Sequence, residues 1–165
     1  MKIEALKPGT SVGFDTNILL YHFAGASQQC TDFLVRCERQ ELKGFLPFTV
    51  FSEALHRLMI WEATSKQLIT GNNPARRLRQ KPELIRRLVN YTQQGNAILR
   101  MGFTLLMPTP RTLIVSHGLR ERFGLLVNDS VVAASFLENN IEHMVSADDD
   151  FDRVDGLRVV KPTDL

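Results

Sequence analysis

Cysteine is nearly absent from this sequence. Its two copies, Cys30 and Cys37, lie in "SQQCTDFLVRCERQE", a stretch of helical pattern. Seven residues of helix rise about 10 Å, too far for a disulfide to close. A disulfide-stapled scaffold is therefore excluded, and both thiols read as buried or half-buried. Histidine is sparse as well. His22, His56, His117 and His143 are scattered, with no Cys/His spacing of a zinc site. No apolar run approaches the roughly 18 residues of a membrane-spanning helix. The run "ILLYHFA" (18–24) is too short and too late for a secretion signal, so the expected location is cytoplasmic. Low-complexity tracts and internal repeats are missing too, which argues against disorder and against repeat architectures.

What is present is the composition of an ordinary globular chain, 44% hydrophobic and 23% charged over 165 residues. That length fits a single domain, 1–165, able to bury a core without staples. The net charge is only +2 but it is unevenly spread. Between Lys66 and Arg100 eight bases face Glu83 alone. From Asp129 to Leu165 nine acids face three bases, Arg153, Arg158 and Lys161. A basic and an acidic segment in one small domain suggest two separate tasks.

Hydrophobic periodicity orders the chain. "SVGF" (11–14) is a short strand, and "DTNILLYHFAG" opens a helix on a capping residue. "SQQCTDFLVRCERQELKG" (27–44) predicts an amphipathic helix closed by Gly44. "FLPF" (45–48) predicts a strand, and Phe51, Ala54, Leu55 and Leu58 follow helical spacing in "TVFSEALHRLMIWEA". Gly71, Pro74 and Pro82 break the basic stretch into pieces, a helical insertion at about 66–100. Within it Leu84, Ile85, Leu88 and Val89 predict one helix with Pro82 in its first turn. A strand at "FTLLMP" (103–108), helices at 110–124 and 128–140, and strands at "EHMVSA" and "LRVVKP" complete the series. Strand and helix in alternation predict an α/β fold, a central parallel sheet flanked by helices. Ligands of such sheets bind beyond the carboxyl ends of the strands, near a topological switch point. Asp15 and Asp148 both follow strand candidates at that edge.

Taken singly, each acid has an ordinary reading. Asp15 serves as a helix N-cap, and Asp129 as a first-turn acid favoured by the helix dipole. Glu53 falls opposite the Phe51–Leu55–Leu58 stripe and reads as solvated. The run Asp148–Asp149–Asp150 reads as an exposed turn. Asp129 is the exception, because Val132, Ala133, Phe136 and Leu137 share its face. A carboxylate on an apolar face needs a partner. Together, the acids can converge at one sheet edge. Converging carboxylates repel unless they share protons or hold a cation, and oxygen ligands without His or Cys suit Mg²⁺ or Mn²⁺.

Four blocks, "GFDTNILLYHF", "FTVFSEALHRLM", "LLVNDSVVAASFL" and "VSADDDFDRV…LRVVKP", resemble the motif blocks of the PIN-domain nucleases, nearest to VapC-type toxins. The resemblance runs in order over nearly the whole chain. It implies a three-layer PIN-like fold and a metal-dependent endoribonuclease, the toxin of a toxin–antitoxin pair. It implies Asp15, Glu53, Asp129 and Asp148 as the catalytic acids, with Asp15, Asp129 and Asp148 holding Mg²⁺ or Mn²⁺, joined by Glu53 and Asp150 as further candidate ligands. Asn17 becomes the polar residue that orients Asp15, Ser146 the small hydroxyl of the last block, and Asp149 a solvent-facing spacer. A cognate antitoxin and a homodimer are the expected partners besides RNA, for which Arg76, Arg77, Arg86 and Arg87 are the candidate contacts. The basic stretch is longer than a small toxin of this type leads one to expect. Three rivals stand beside this reading. One is a catalytically idle RNA- or protein-binding module of the same fold, and another an RNA-processing nuclease that is not a toxin. The third, phosphoryl transfer through an aspartyl nucleophile, is disfavoured because "DTN" lacks a second aspartate.

Overall fold

Residues 2–165 are described by a computed structural model in which the expected alternation becomes a five-stranded sheet. Its strands are β1 (Ser11–Phe14), β2 (Lys43–Pro47), β3 (Thr104–Leu106), β4 (His143–Val145) and β5 (Arg158–Val160). They lie in the order β3-β2-β1-β4-β5, and every neighbouring pair is parallel. Helices α1 (Thr16–Ala24) and α2 (Gln28–Glu38) join β1 to β2. Helices α3 (Phe48–Ser65), α4 (Pro74–Arg79), α5 (Pro82–Ile85) and α6 (Asn90–Arg100) join β2 to β3. Helices α7 (Pro110–Phe123) and α8 (Val127–Glu138) join β3 to β4. From β1 the chain builds outward to β2 and β3, then returns to the other side of β1 to lay down β4. The switch point therefore lies between β1 and β4.

Successive residues of β1 set the layers, because side chains alternate across a strand. Phe14 points to one face and meets the edge of Phe33 on α2, ring centroids 5.7 Å apart. Gly13 points to the other, where a Cβ would stand 2.1 Å from the ring of Phe136 on α8. Only a residue without a side chain lets α8 press this close to the central strand. Phe14, Phe33 and Phe136 are fully buried, each worth about 1.5–3 kcal/mol in removed apolar surface. The α/β architecture expected from the alternation is the one observed.

Three local expectations are corrected. The helix predicted over 27–44 ends at Glu38, and Gly44 lies inside β2, paired with Val12. Gln40 turns left-handed at φ 60°. The Gln40 N–H donates to the Cys37 carbonyl and the Glu41 N–H to the Arg36 carbonyl. That is a Schellman closure made without glycine. The predicted helix through Leu84, Ile85, Leu88 and Val89 breaks after Ile85, and Val89 is exposed. A helix not expected at all, α6, starts at Asn90. The cause of both is Glu62 on α3. Its buried carboxylate accepts the N–H groups of Val89 and Tyr91, each at 3.0 Å, and pairs with Lys66 at 2.5 Å. It caps α6 from another helix and fixes where the chain turns. Beneath this junction Ala63, Ile69, Leu78 and Leu88 form a small apolar cluster apart from the main core.

Candidate active site at the sheet switch point

Asp15 follows β1 directly and caps α1, its Oδ1 accepting the Thr16 N–H at 2.6 Å. Its own N–H donates to the Val145 carbonyl at the end of β4, at 3.1 Å. The two strands flanking the switch point are thus tied together at this residue. Ser146, fully buried just past β4, donates its hydroxyl to Asp15 Oδ2 at 3.5 Å and accepts the Asp148 N–H at 3.0 Å. One hydroxyl therefore bridges the two strand-end acids. Asp148 Oδ1 in turn accepts the Asp150 N–H at 2.8 Å and opens a short 3₁₀ turn.

The other two acids arrive on helices. A helix returning antiparallel to the strands starts at their carboxyl edge, so the first turns of α3 and α8 belong there. Glu53 is in the second turn of α3, half-buried and paired with Arg57 at 3.0 Å. It is less solvated than its periodicity predicts. Asp129 is in the first turn of α8, half-buried, and among the described residues its carboxylate takes part in no hydrogen bond or ion pair.

Charge on these groups is mutually costly. Burial pushes the Asp15 pKa from 3.8 up to about 6. Its Thr16 hydrogen bond opposes the rise, while Asp129, Glu53 and Asp148 add to it. Asp129 is also raised, by burial first and then by Asp148, Asp150 and Glu53. Asp15, Glu53, Asp129 and Asp148, with Asp150 at the rim, therefore share one electrostatic field. The triple-aspartate run divides by direction. Asp149 is exposed and ion-paired with Lys161, whose ammonium holds its pKa low. Asp150 pairs with Arg153.

The hydrogen bond expected from Asn17 to Asp15 is not formed among the described residues. Asn17 Oδ1 is buried without a partner, as are Thr16 Oγ1 and Thr49 Oγ1. An orphaned buried polar atom costs about 1–3 kcal/mol, and it calls for a reason. Thr16 and Asn17 adjoin Asp15, and Thr49 lies one turn before Glu53. Sequence reasoning passed over both threonines. The signal was there in part, since Thr49 stands four residues before Glu53 and so on the same helix face.

These residues fit a hard divalent cation in kind. The donors are carboxylate oxygens, and burial and then the neighbouring acids raise the Asp15 and Asp129 pKa values. The bases Arg57 and Arg153 pair with Glu53 and Asp150 and, among the described residues, leave Asp15, Asp129 and Asp148 free of ion pairs. Among the described residues no three of the acids are already drawn close enough to enclose an ion.

The candidate RNA contacts lie elsewhere. Arg76 and Arg77 are exposed on α4, and Arg86 and Arg87 are exposed in the link between α5 and α6, not on one helix with Leu88. A cleft of about 550 Å³ separates α3 from α4, lined by His56, Met59, Ile60, Arg76, Leu78 and Arg79. Cys30 and Cys37 are free and buried, and burial pushes the Cys37 thiol up to about 12. Among the described residues no helix is long and apolar enough to cross a membrane.

Residues 13–157 match the family model of the PIN domain. The chain belongs to the PIN-domain family. Among curated proteins, this PIN-domain chain is 27% identical over 149 residues to Ribonuclease VapC2 of Methanocaldococcus jannaschii, covering 90% of this chain and 91% of that one. Its fold is shared with two solved structures. One is VapBC2 from Rickettsia felis bound to a DNA fragment from its promoter, with a TM-score of 0.61 at 15% identity over 92% of this chain and 98% of that one. The other is a toxin–antitoxin complex from Klebsiella pneumoniae, with a TM-score of 0.58 at 18% identity over 93% and 99%.

Proposed function

We propose that this PIN-domain protein is a metal-dependent endoribonuclease acting in the cytoplasm as the toxin of a toxin–antitoxin pair. The observation that carries this reading is the convergence of Asp15, Glu53, Asp129 and Asp148 at the switch point of a parallel sheet. The ribonuclease relative and the two toxin–antitoxin neighbours support it.

Asp15, Asp129 and Asp148 would hold Mg²⁺ or Mn²⁺, with Glu53 and Asp150 as further candidate ligands. A bound ion lowers the pKa of a coordinated water and offsets charge building on the scissile phosphate. Glu53 positions the attacking water and accepts its proton at a carboxylate oxygen as the new phosphorus–oxygen bond forms, while the bond to the leaving oxygen breaks and that oxygen takes a proton from solvent to leave as a hydroxyl. Arg57, already at 3.0 Å from Glu53, aligns that carboxylate. Ser146 orients Asp15 and Asp148 through its two hydrogen bonds, and the orphaned Asn17 Oδ1 finds its partner when substrate or solvent fills the site.

Residues 66–100 are a basic helical elaboration of a single PIN unit. The cleft beside α4 suits an amphipathic antitoxin segment, with apolar side chains on Met59, Ile60 and Leu78 and carboxylates on Arg76 and Arg79. Arg77, Arg86 and Arg87, and Arg76 when the cleft is free, attract RNA. A homodimer is the expected assembly.

The test is cleavage of single-stranded RNA by the purified protein in Mg²⁺, in Mn²⁺ and in EDTA, beside Asp129→Asn, with growth followed on induced expression. Cleavage requires the ion and the intact carboxylate, and the wild type alone arrests growth. Cleavage that persists in EDTA or in Asp129→Asn overturns the mechanism. Cleavage without growth arrest overturns the toxin role.

A further inference from the structure

The chain contains one tryptophan, Trp61, and it is 42% exposed. Leaving so large an apolar ring in water forgoes much of its burial energy. Its surroundings give a reason. Glu53, Arg57 and Trp61 follow one another at four-residue steps, so they run along one side of α3. Trp61 stands about 12 Å along the axis from Glu53, a little over two turns. Arg57 lies between them, its side chain 59% exposed.

Trp61 also forms one wall of a shallow cleft of about 190 Å³ between α3 and α6. Leu58, Ser65, Lys66, Asn90 and Gln94 line the rest, over the buried Glu62. The Glu62 carboxylate is fully engaged by Lys66 and two backbone N–H groups. No free negative charge therefore faces the indole. Asn90 and Gln94 each offer an amide donor and an amide acceptor, the pair needed to hydrogen-bond the edge of a base. The Lys66 side chain is 39% exposed beside them, its ammonium paired with Glu62. A protein-docking hot spot would set the ring in an apolar pocket. Here Leu58 and the indole supply an apolar floor, and the amides of Asn90 and Gln94 with the Ser65 hydroxyl supply polar groups at its edge, a flat apolar face beside hydrogen-bonding groups that suits a base.

We propose that Trp61 is a stacking platform for one base of a single-stranded RNA, with Asn90 and Gln94 reading that base's edge and Arg57 meeting the phosphate backbone between it and the carboxylate cluster. The proposal rests on the ribonuclease reading and adds a substrate-contact site that sets where the strand lies relative to the point of cleavage. Base–aromatic stacking is sequence-tolerant and is worth about 1–3 kcal/mol per base, roughly tenfold or more in affinity.

Because Trp61 is the only tryptophan, intrinsic tryptophan fluorescence reports this cleft and nothing else. The experiment uses the full chain carrying Asp129→Asn, so that RNA is bound and not cut, and a single-stranded RNA oligonucleotide of mixed sequence. RNA binding, read independently by anisotropy of an end-labelled copy, should quench Trp61 emission over the same concentration range. Trp61→Ala should weaken binding roughly tenfold at every salt concentration and leave the salt slope unchanged, since stacking displaces no counterion. Trp61→Phe should keep most of the affinity, which separates stacking from a folding defect. In the cleaving chain Trp61→Ala should raise KM with kcat nearly constant, as expected of a contact shared by ground and transition states. RNA that binds without changing the emission, or a Trp61→Ala chain of undiminished affinity, overturns the platform and leaves the ribonuclease reading standing. Absence of any RNA binding by anisotropy overturns both.

Discussion

Asparagine at position 15 should end catalysis and yet stabilise the fold in metal-free buffer. The Asp15 pKa is raised from 3.8 to about 6, so the folded chain holds that proton more tightly than the unfolded chain does. The sign follows from linkage: stability is greatest below the unfolded value and declines as pH rises through the folded one. A shift of about two units corresponds to about 3 kcal/mol, fully expressed above pH 7. Asparagine removes the charge and keeps an oxygen for the Thr16 N–H, and the two residues are nearly equal as N-caps. Burying the new amide takes back part of the gain, which leaves about 1–3 kcal/mol.

Urea denaturation of wild type and Asp15→Asn in EDTA, at pH 7.5 and at pH 5, measures this directly. The variant should lead at pH 7.5, and the gap should narrow at pH 5 as the wild-type carboxyl takes up its proton. Millimolar Mn²⁺ should reverse the order, because an ion bound only by the folded wild type stabilises it by mass action. A variant less stable than wild type in EDTA at pH 7.5, or a gap independent of pH, would refute the repulsive cluster and with it the reason for a cation at this edge.

Asp148→Asn should abolish cleavage while Asp149→Asn costs only a few-fold in single-turnover rate, since Asp149 is exposed and paired with Lys161; equal losses would assign the acidic run to the wrong register. Glu62→Gln should lose up to about 3 kcal/mol at neutral pH, because the Glu62 pKa is lowered from 4.5 to about 2. That stabilisation exists above the unfolded value and vanishes as pH falls toward 2, so chemical denaturation should show the two chains converging in acid, and a constant gap would point to impaired packing instead. Alanine at Arg76, Arg77, Arg86 and Arg87 together should weaken RNA binding and flatten its log–log salt dependence by roughly 0.7 for each phosphate no longer neutralised; an unchanged slope would return these arginines to a solvated surface or to the antitoxin.

The strands and the acids at their ends were legible because their signal is local. "SVGF" followed by Asp15, and "HMVSA" followed by Asp148, each carry an apolar run and a polar stop within a few residues. The convergence of Glu53 was not legible from periodicity, which set it opposite the buried stripe. What draws it in is the position of α3 relative to β1, a tertiary fact. The course of residues 84–100 was hidden for the same reason. Leu84, Ile85, Leu88 and Val89 have helical spacing, but a carboxylate more than twenty residues earlier, Glu62, captures the Val89 and Tyr91 N–H groups and restarts the helix one residue past the stripe. The end of α2 escaped because Gln40 takes the left-handed conformation that glycine usually supplies, and Gly44, the apparent stop, was needed inside β2. There a Cβ would strike Phe103 at 2.6 Å.

Charge segregation along the sequence acquires a physical sense on α3. This helix carries Glu53 in its second turn and Glu62 near its far end, nine residues and about 13 Å apart along the axis. The Debye length at physiological salt is about 8 Å. Lys66, paired with Glu62, therefore sits beyond a Debye length from Glu53. Arg57, the arginine on the helix that stands closer, is held by Glu53 itself at 3.0 Å. Had the eight bases of residues 66–100 been folded against the sheet edge, their charge would have lowered the carboxylate pKa values and taken the cation's place. Because Glu62 both caps α6 and pairs with Lys66, a single buried carboxylate anchors both ends of the segment that carries most of these bases.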